Sequence, residues 1–115
     1  MKVKYPPSEK KLIEILEKIA PKLKKENPYI KKILLFGSYA RKRPHFGSDV
    51  DLLIIVSERN KDDFESIYEM LVDCSLEYDW APLVLSEERF NSLKKTNKHF
   101  FQVALEEGIT IWSET

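Results

Sequence analysis

One cysteine, three glycines and no apolar run longer than the five residues Leu52 to Val56 leave several protein classes without support. A lone thiol, Cys74, can form neither an internal disulfide framework nor a cysteine-based zinc ribbon. Set among apolar neighbours, it is expected to pack rather than react. The Leu52–Val56 run falls far short of the roughly 20 apolar residues that span a bilayer. The start, Met1-Lys2-Val3-Lys4-Tyr5-Pro6-Pro7, has no apolar signal segment, so a soluble protein of a reducing cytoplasm is expected. With so few glycines and six prolines, the chain is not collagen-like or of low complexity. Nor is there an excess of one charge: 19 Lys and Arg balance 19 Asp and Glu, which argues against direct nucleic-acid binding.

What is present suits one folded unit. The 115 residues are 43% apolar, enough for a core and one domain, 1–115, with no residues for a second lobe. The balanced charge is unevenly spread. Residues 1–32 hold ten Lys and four Glu, whereas residues 57–89 hold ten acids and three bases. Such a bipolar surface suits docking to another protein, as a homo- or hetero-oligomer.

Leu12, Leu16, Ile19 and Leu23 share one face of an N-terminal helix over about 8–25, which Pro21 is expected to bend or end. The core is expected over about 30–112. Lys32 to Phe36 reads as a buried strand closed by Gly37, and Ser38 to Lys42 as one or two helical turns. Asp49 to Val56 is the strongest strand, apolar on both faces beyond Asp51 and therefore central. Asn60 is placed to cap a helix from about Asp62 to Cys74, with Phe64, Ile67, Leu71 and Cys74 on its stripe. Glu77 to Leu85 reads as a third strand, and Pro82 within it predicts an edge position or a bulge. Ser86-Glu87-Glu88 starts a helix carrying Phe90 and Leu93. A last helix holds Phe100, Phe101, Val103, Ala104 and Leu105 and ends at Gly108. Ile109 to Trp112 is a closing strand or extended tail. This order predicts an α/β (α+β) fold, a small mixed β-sheet flanked by α-helices.

The chemistry concentrates in two short stretches. Strand alternation puts Asp49 and Asp51 on one face, with Cα atoms roughly 6.5–7 Å apart. Two carboxylates opening an apolar strand are costly unless a cation neutralises them or water covers them. Gly37 permits a tight turn after the preceding strand, so backbone can approach a phosphate. The amides of Ser38, Tyr39 and Ala40 then open a helix that favours an anion, and the Ser38 hydroxyl can join them or act as an N-cap. Together these describe a metal–triphosphate site. Asp79 is a later carboxylate at the start of the third strand, and Glu77 rivals it through shared strand parity. Arg41, Lys42 and Arg43 are candidate phosphate or partner contacts. His45 is read as a surface residue, His99 receives no role, and Trp80 and Trp112 are read as packing or interface residues.

Gly37-Ser38-Tyr39-Ala40-Arg41, then six residues, then Ser48-Asp49-Val50-Asp51-Leu52 resembles the signature of polymerase-beta-like nucleotidyltransferases. The chain's length resembles their minimal, single-domain members, and softer similarity runs through Asp79 to Ser86 and Leu105 to Ile109. Lys42 departs from the glycine frequent at that position. The resemblance implies the polymerase-beta-like fold, two Mg²⁺ ions bound by Asp49, Asp51 and Asp79, and ATP held at Gly37, Ser38, Arg41 and Lys42. It also implies transfer of AMP from ATP to a hydroxyl, in particular a tyrosine, of a helical HEPN-type toxin, the chain acting as antitoxin. Two other readings stay open at this level. One is a non-catalytic subunit that docks and inhibits such a partner; the other is a nucleotidyltransferase acting on a small molecule.

Overall fold

The computed structural model describes residues 9–41 and 49–114. Its elements run α1 (Glu9–Glu26), β1 (Ile30–Phe36), α2 (Gly37–Ala40), β2 (Asp49–Val56), α3 (Asp63–Cys74), β3 (Asp79–Ser86), α4 (Glu87–Thr96), α5 (Lys98–Glu107) and β4 (Ile109–Ser113). The strands form one mixed sheet in the order β3-β2-β1-β4. β1 pairs antiparallel with β2 and with β4, and β2 pairs parallel with β3. The expected small mixed sheet flanked by helices is what forms.

Alternation along β2 divides the core. Val50, Leu52, Ile54 and Val56 face one side, packed with Leu12, Leu16 and Leu23 of α1 and with Ile67 and Leu71 of α3. Leu53 and Ile55 face the other, against Leu34, Leu85, Phe90 of α4 and Phe101 of α5. A strand buried on both faces needs helices on both, and these two pairs of helices supply them. Burying a leucine this completely is worth about 1.5–3 kcal/mol, so α1, with three of them, is held by its packing as much as by its helix propensity.

That packing explains the fate of Pro21. Helix α1 neither stops nor shortens there but runs on to Glu26. Proline forfeits one helical hydrogen bond, yet Leu23 beyond it is buried and Lys24 donates through Nζ to the Pro28 and Ile30 carbonyls at 2.6 and 2.9 Å. Pro82 lies in β3, an edge strand, where the missing N–H costs least.

Three local expectations are corrected. Cys74 is exposed rather than packed: it is the last residue of α3, beyond the buried Ile67 and Leu71. Phe64, at the other end of the expected stripe, is likewise exposed. Asn60 does not cap α3 through its side chain. Its backbone N–H donates to Asp63 Oδ2 at 2.9 Å, and its carbonyl accepts from Asp63 N at 3.2 Å. The buried Asp63 carboxylate also accepts from Arg59 Nε and Nη2, and Arg59 Nη1 reaches the Val84 carbonyl at 3.0 Å. This tie fastens the start of α3 to the edge strand β3. By contrast, the Ser86 hydroxyl accepts from Arg89 N at 3.1 Å and caps α4 as expected.

Candidate active site

The local path through Gly37 shapes the site. β1 ends at Phe36, and Gly37 adopts φ +75, a left-handed conformation that side chains rarely take. The four-residue α2 follows at once, its Arg41 N–H closing on the Gly37 carbonyl at 3.1 Å. Ser38 lies inside the first turn of α2 and Phe36 occupies the cap position, so Ser38 is not the N-cap. Tyr39 and Ala40 are buried and anchor the turn to the α1–α3 side of the core.

The turn sits against β2. Phe36 pairs with Asp51 across the antiparallel ladder, and a Cβ added to Gly37 would run into the Asp51 carboxylate. Asp49 stands in register with Asp79 on the parallel neighbour β3. Register partners in a sheet point to the same side, and Asp49 and Asp51 share the parity of Leu53 and Ile55. All three carboxylates therefore lie on the α4–α5 face, at the end of the sheet where that face is not yet covered. Asp49 and Asp79 are exposed and Asp51 is half-buried. Burial raises the Asp51 pKa, the Asp49 charge raises it further, and Arg41 partly opposes both. The apo protein thus holds acidic charge that repels itself.

Glu77 separates from this group. It precedes β3 and lies 3.5 Å from Lys11 Nζ of α1. The parity argument that made it a rival to Asp79 does not apply, because the strand begins two residues later.

A cavity of about 570 Å³ opens beside Asp51. Phe36, Gly37, Arg41 and Asp51 form its sheet side, and α5 forms the opposite wall. Glu107 of that wall lies 3.8 Å from Arg41 Nε. His99 and Phe100 also line it. His99, without a role on sequence grounds, thus belongs beside the site. Adjacent Phe100 and Phe101 are the signal that could have shown this, since successive helical residues point about 100° apart and only one can enter the core. Phe101 does so, whereas Phe100 is 53% exposed. Lys42, Arg43 and His45 lie outside the described residues.

Below the carboxylates is an aromatic group. Tyr39 and Tyr78 meet edge to face at 6.2 Å, and Tyr78 and Trp80 lie 5.3 Å apart. Trp80 is buried and donates to the Ser75 carbonyl at 2.9 Å, a packing role as expected. Trp112 packs at the core's margin beneath Lys24. Burial and the Asp79 charge raise the Tyr39 pKa. Burial pushes Tyr78 up to about 12, and its hydroxyl has no hydrogen-bond partner among the described residues.

The donor set suits a small hard cation. Mg²⁺ prefers one or two carboxylates completed by substrate phosphates and waters over an all-protein cage. Among the described residues no three His, Cys, Asp or Glu side chains converge as such a cage. Asp49 and Asp51 fit the partial set, the Asp49 charge adding to the cost of ionising Asp51.

Residues 17–115 match the family model for polymerase beta, nucleotidyltransferase. A Methanocaldococcus jannaschii protein, named as a candidate protein adenylyltransferase, is 40% identical over 85 residues, covering 72% of this chain and 79% of that protein. Among solved structures, a chain of a toxin–antitoxin complex with AMP-PNP aligns at TM-score 0.60 and 22% identity, over 86% of this chain and 74% of that one. A chain from the complex of tri-AMPylated Shewanella oneidensis HEPN toxin with MNT antitoxin aligns at TM-score 0.55 and 19% identity, over 88% and 72%. No described helix is long and apolar enough to cross a membrane. The Gly37-Ser38 turn, the Asp49-x-Asp51 strand opening and the family match over 99 of the 115 residues, 17 to 115, agree: the chain belongs to the polymerase-beta nucleotidyltransferase family.

Proposed function

We propose that the protein transfers AMP from Mg-ATP to a hydroxyl, specifically a tyrosine, of a helical HEPN-type partner in the cytoplasm, and so acts as its antitoxin. The observation that carries this is the carboxylate arrangement: Asp49 in register with Asp79, and Asp51 seated over the Gly37 turn, all on one open face. The name of the Methanocaldococcus relative and the AMP-PNP and tri-AMPylated toxin of the structural neighbours support the choice of nucleotide and acceptor.

Each residue then has a task. The backbone at Gly37 and Ser38 and the Arg41 guanidinium hold the β- and γ-phosphates, with Lys42 adding positive charge. Asp49 and Asp51 would hold two Mg²⁺ ions and Asp79 would complete the site of one of them. When bound, the metal neutralises phosphate charge and makes an oxygen nucleophile more acidic. Asp79 orients the attacking tyrosine hydroxyl and accepts its proton. The new bond joins the tyrosine oxygen to the α-phosphorus. The bond to the bridging oxygen breaks, and pyrophosphate leaves toward Arg41. Among the described residues β3 is the edge of the sheet, so a macromolecular acceptor can reach Asp79 there.

Intact-mass measurement of the partner after incubation with Mg-ATP tests the reading. An added AMP mass on a partner tyrosine, absent with Asp49→Asn, is the expected result. A partner that is bound and inhibited but stays unmodified would establish a docking subunit instead.

A further inference from the structure

The cavity beside Asp51 has two unlike halves. Arg41 and Glu107 give one end charge, whereas Phe36, Phe100, Val103 and Ala104 make the other apolar. Phe100 is half-exposed although it lines the same cavity as the Asp51 and Glu107 carboxylates and Arg41. Its ring is nevertheless fixed. It meets Phe36 edge to face at 6.3 Å and Phe101 edge to face at 5.1 Å. An aromatic ring held by two neighbours and open to a cavity is a preorganised stacking surface that loses little freedom when a flat ligand binds. His99, the preceding residue, brings ring nitrogens to the same cavity.

The sheet order says which ligand part arrives there. β3, with Asp79, flanks β2 on one side, and β1, leading into Gly37, flanks it on the other. The cavity lies on the β1–α5 side, away from Asp79. With phosphates over Gly37 and the acceptor entering at β3, the nucleoside of the donor is left the α5 side.

Resting on the nucleotidyltransferase reading above, we propose that α5 is the base-binding wall. Phe100, braced by Phe36, stacks the donor's purine, and His99 meets the purine's polar edge. Val103 and Ala104, one turn on, close the apolar half and keep it dry. These residues set affinity for the base without touching the reacting phosphate.

Calorimetric titration of the full chain with Mg-ATP and, separately, with Mg-tripolyphosphate tests this, because the second ligand has phosphates and no base. Phe100→Ala and Phe100→Leu should each weaken Mg-ATP roughly tenfold, the order expected for loss of one base–aromatic stack, and leave Mg-tripolyphosphate unchanged. Phe100→Trp should keep Mg-ATP affinity. The leucine variant preserves apolar bulk, so it reads the loss of the π-face even if the alanine variant folds poorly. Equal weakening of both ligands, or no weakening of Mg-ATP, overturns the proposal. Wild-type binding of tripolyphosphate as tight as ATP overturns it while leaving the triphosphate site standing. Binding of neither ligand overturns the nucleotidyltransferase reading as well.

Discussion

Gly37 and Asp51 share one volume: a side-chain carbon on the glycine would occupy the space of the aspartate's carboxylate. The backbone of the turn can therefore lie beside the acid that opens the central strand. Gly37→Ala has two costs. The left-handed φ alone costs roughly 1–2 kcal/mol, and Asp51 must move aside. Thermal unfolding should show a loss of about that size, and Mg-ATP affinity should fall further than stability does. A fully stable variant with normal affinity would mean that the close approach is not needed.

Charge repulsion gives a sign that reverses with ligand. Burial and Asp49 raise the Asp51 pKa in the folded state. The folded protein then holds its proton longer than the unfolded chain, so stability falls as pH rises through the folded Asp51 pKa. At neutral pH, Asp49→Asn with Asp51→Asn should raise the melting temperature of the apo protein. Mg-ATP at about 100 times its Kd should stabilise the wild type by about 2.7 kcal/mol and the double variant hardly at all. Equal ligand-induced shifts in both proteins would remove these carboxylates from the site.

Asp79 and Glu77 are separated by their settings. Asp79 faces Asp49 in register, whereas Glu77 lies outside the strand against Lys11. Asp79→Ala should slow nucleotidyl transfer by about 10²–10⁴, the usual worth of a positioned proton acceptor, and leave much of the ATP binding. Glu77→Ala should change the rate only slightly. Single-turnover rates for the two variants decide the order.

Tyr78 is buried, and among the described residues its hydroxyl has no hydrogen-bond partner. Removing it as Tyr78→Phe should stabilise the fold by about 1 kcal/mol, because no hydrogen bond is lost and a desolvated polar group goes. Its pKa of about 12 adds a pH signature. Below the unfolded value near 10 both states hold the proton and the group contributes no pH dependence. Between about 10 and 12 only the unfolded chain loses it, so stability falls with rising pH. Denaturant titrations should show that alkaline slope flattened in the phenylalanine variant.

Much of this architecture can be read from residue order. The run from Leu52 to Val56, apolar on both faces, identified the central strand, Pro82 its edge neighbour, and Gly37-Ser38 with Asp49-x-Asp51 the turn and carboxylate pair. What escaped depends on tertiary placement. His99 and Phe100 come beside Asp51 only because α5 packs back across β1, joining residues some fifty positions apart. Pro21 passes because core burial outweighs one lost hydrogen bond. The Arg59–Asp63 tie is an i, i+4 pair that went unread, and its reach to Val84 depends on the strand beside it.

The most direct measurement of the central claim follows radiolabel from ATP into the helical partner, using ATP labelled at either the α- or the γ-phosphate, with wild type and Asp49→Asn. Nucleotidyl transfer predicts that only the α-label enters the partner, that pyrophosphate appears in equal amount, and that the variant abolishes both. Label entering from the γ-position, or a partner held inactive with neither label attached, would contradict the account.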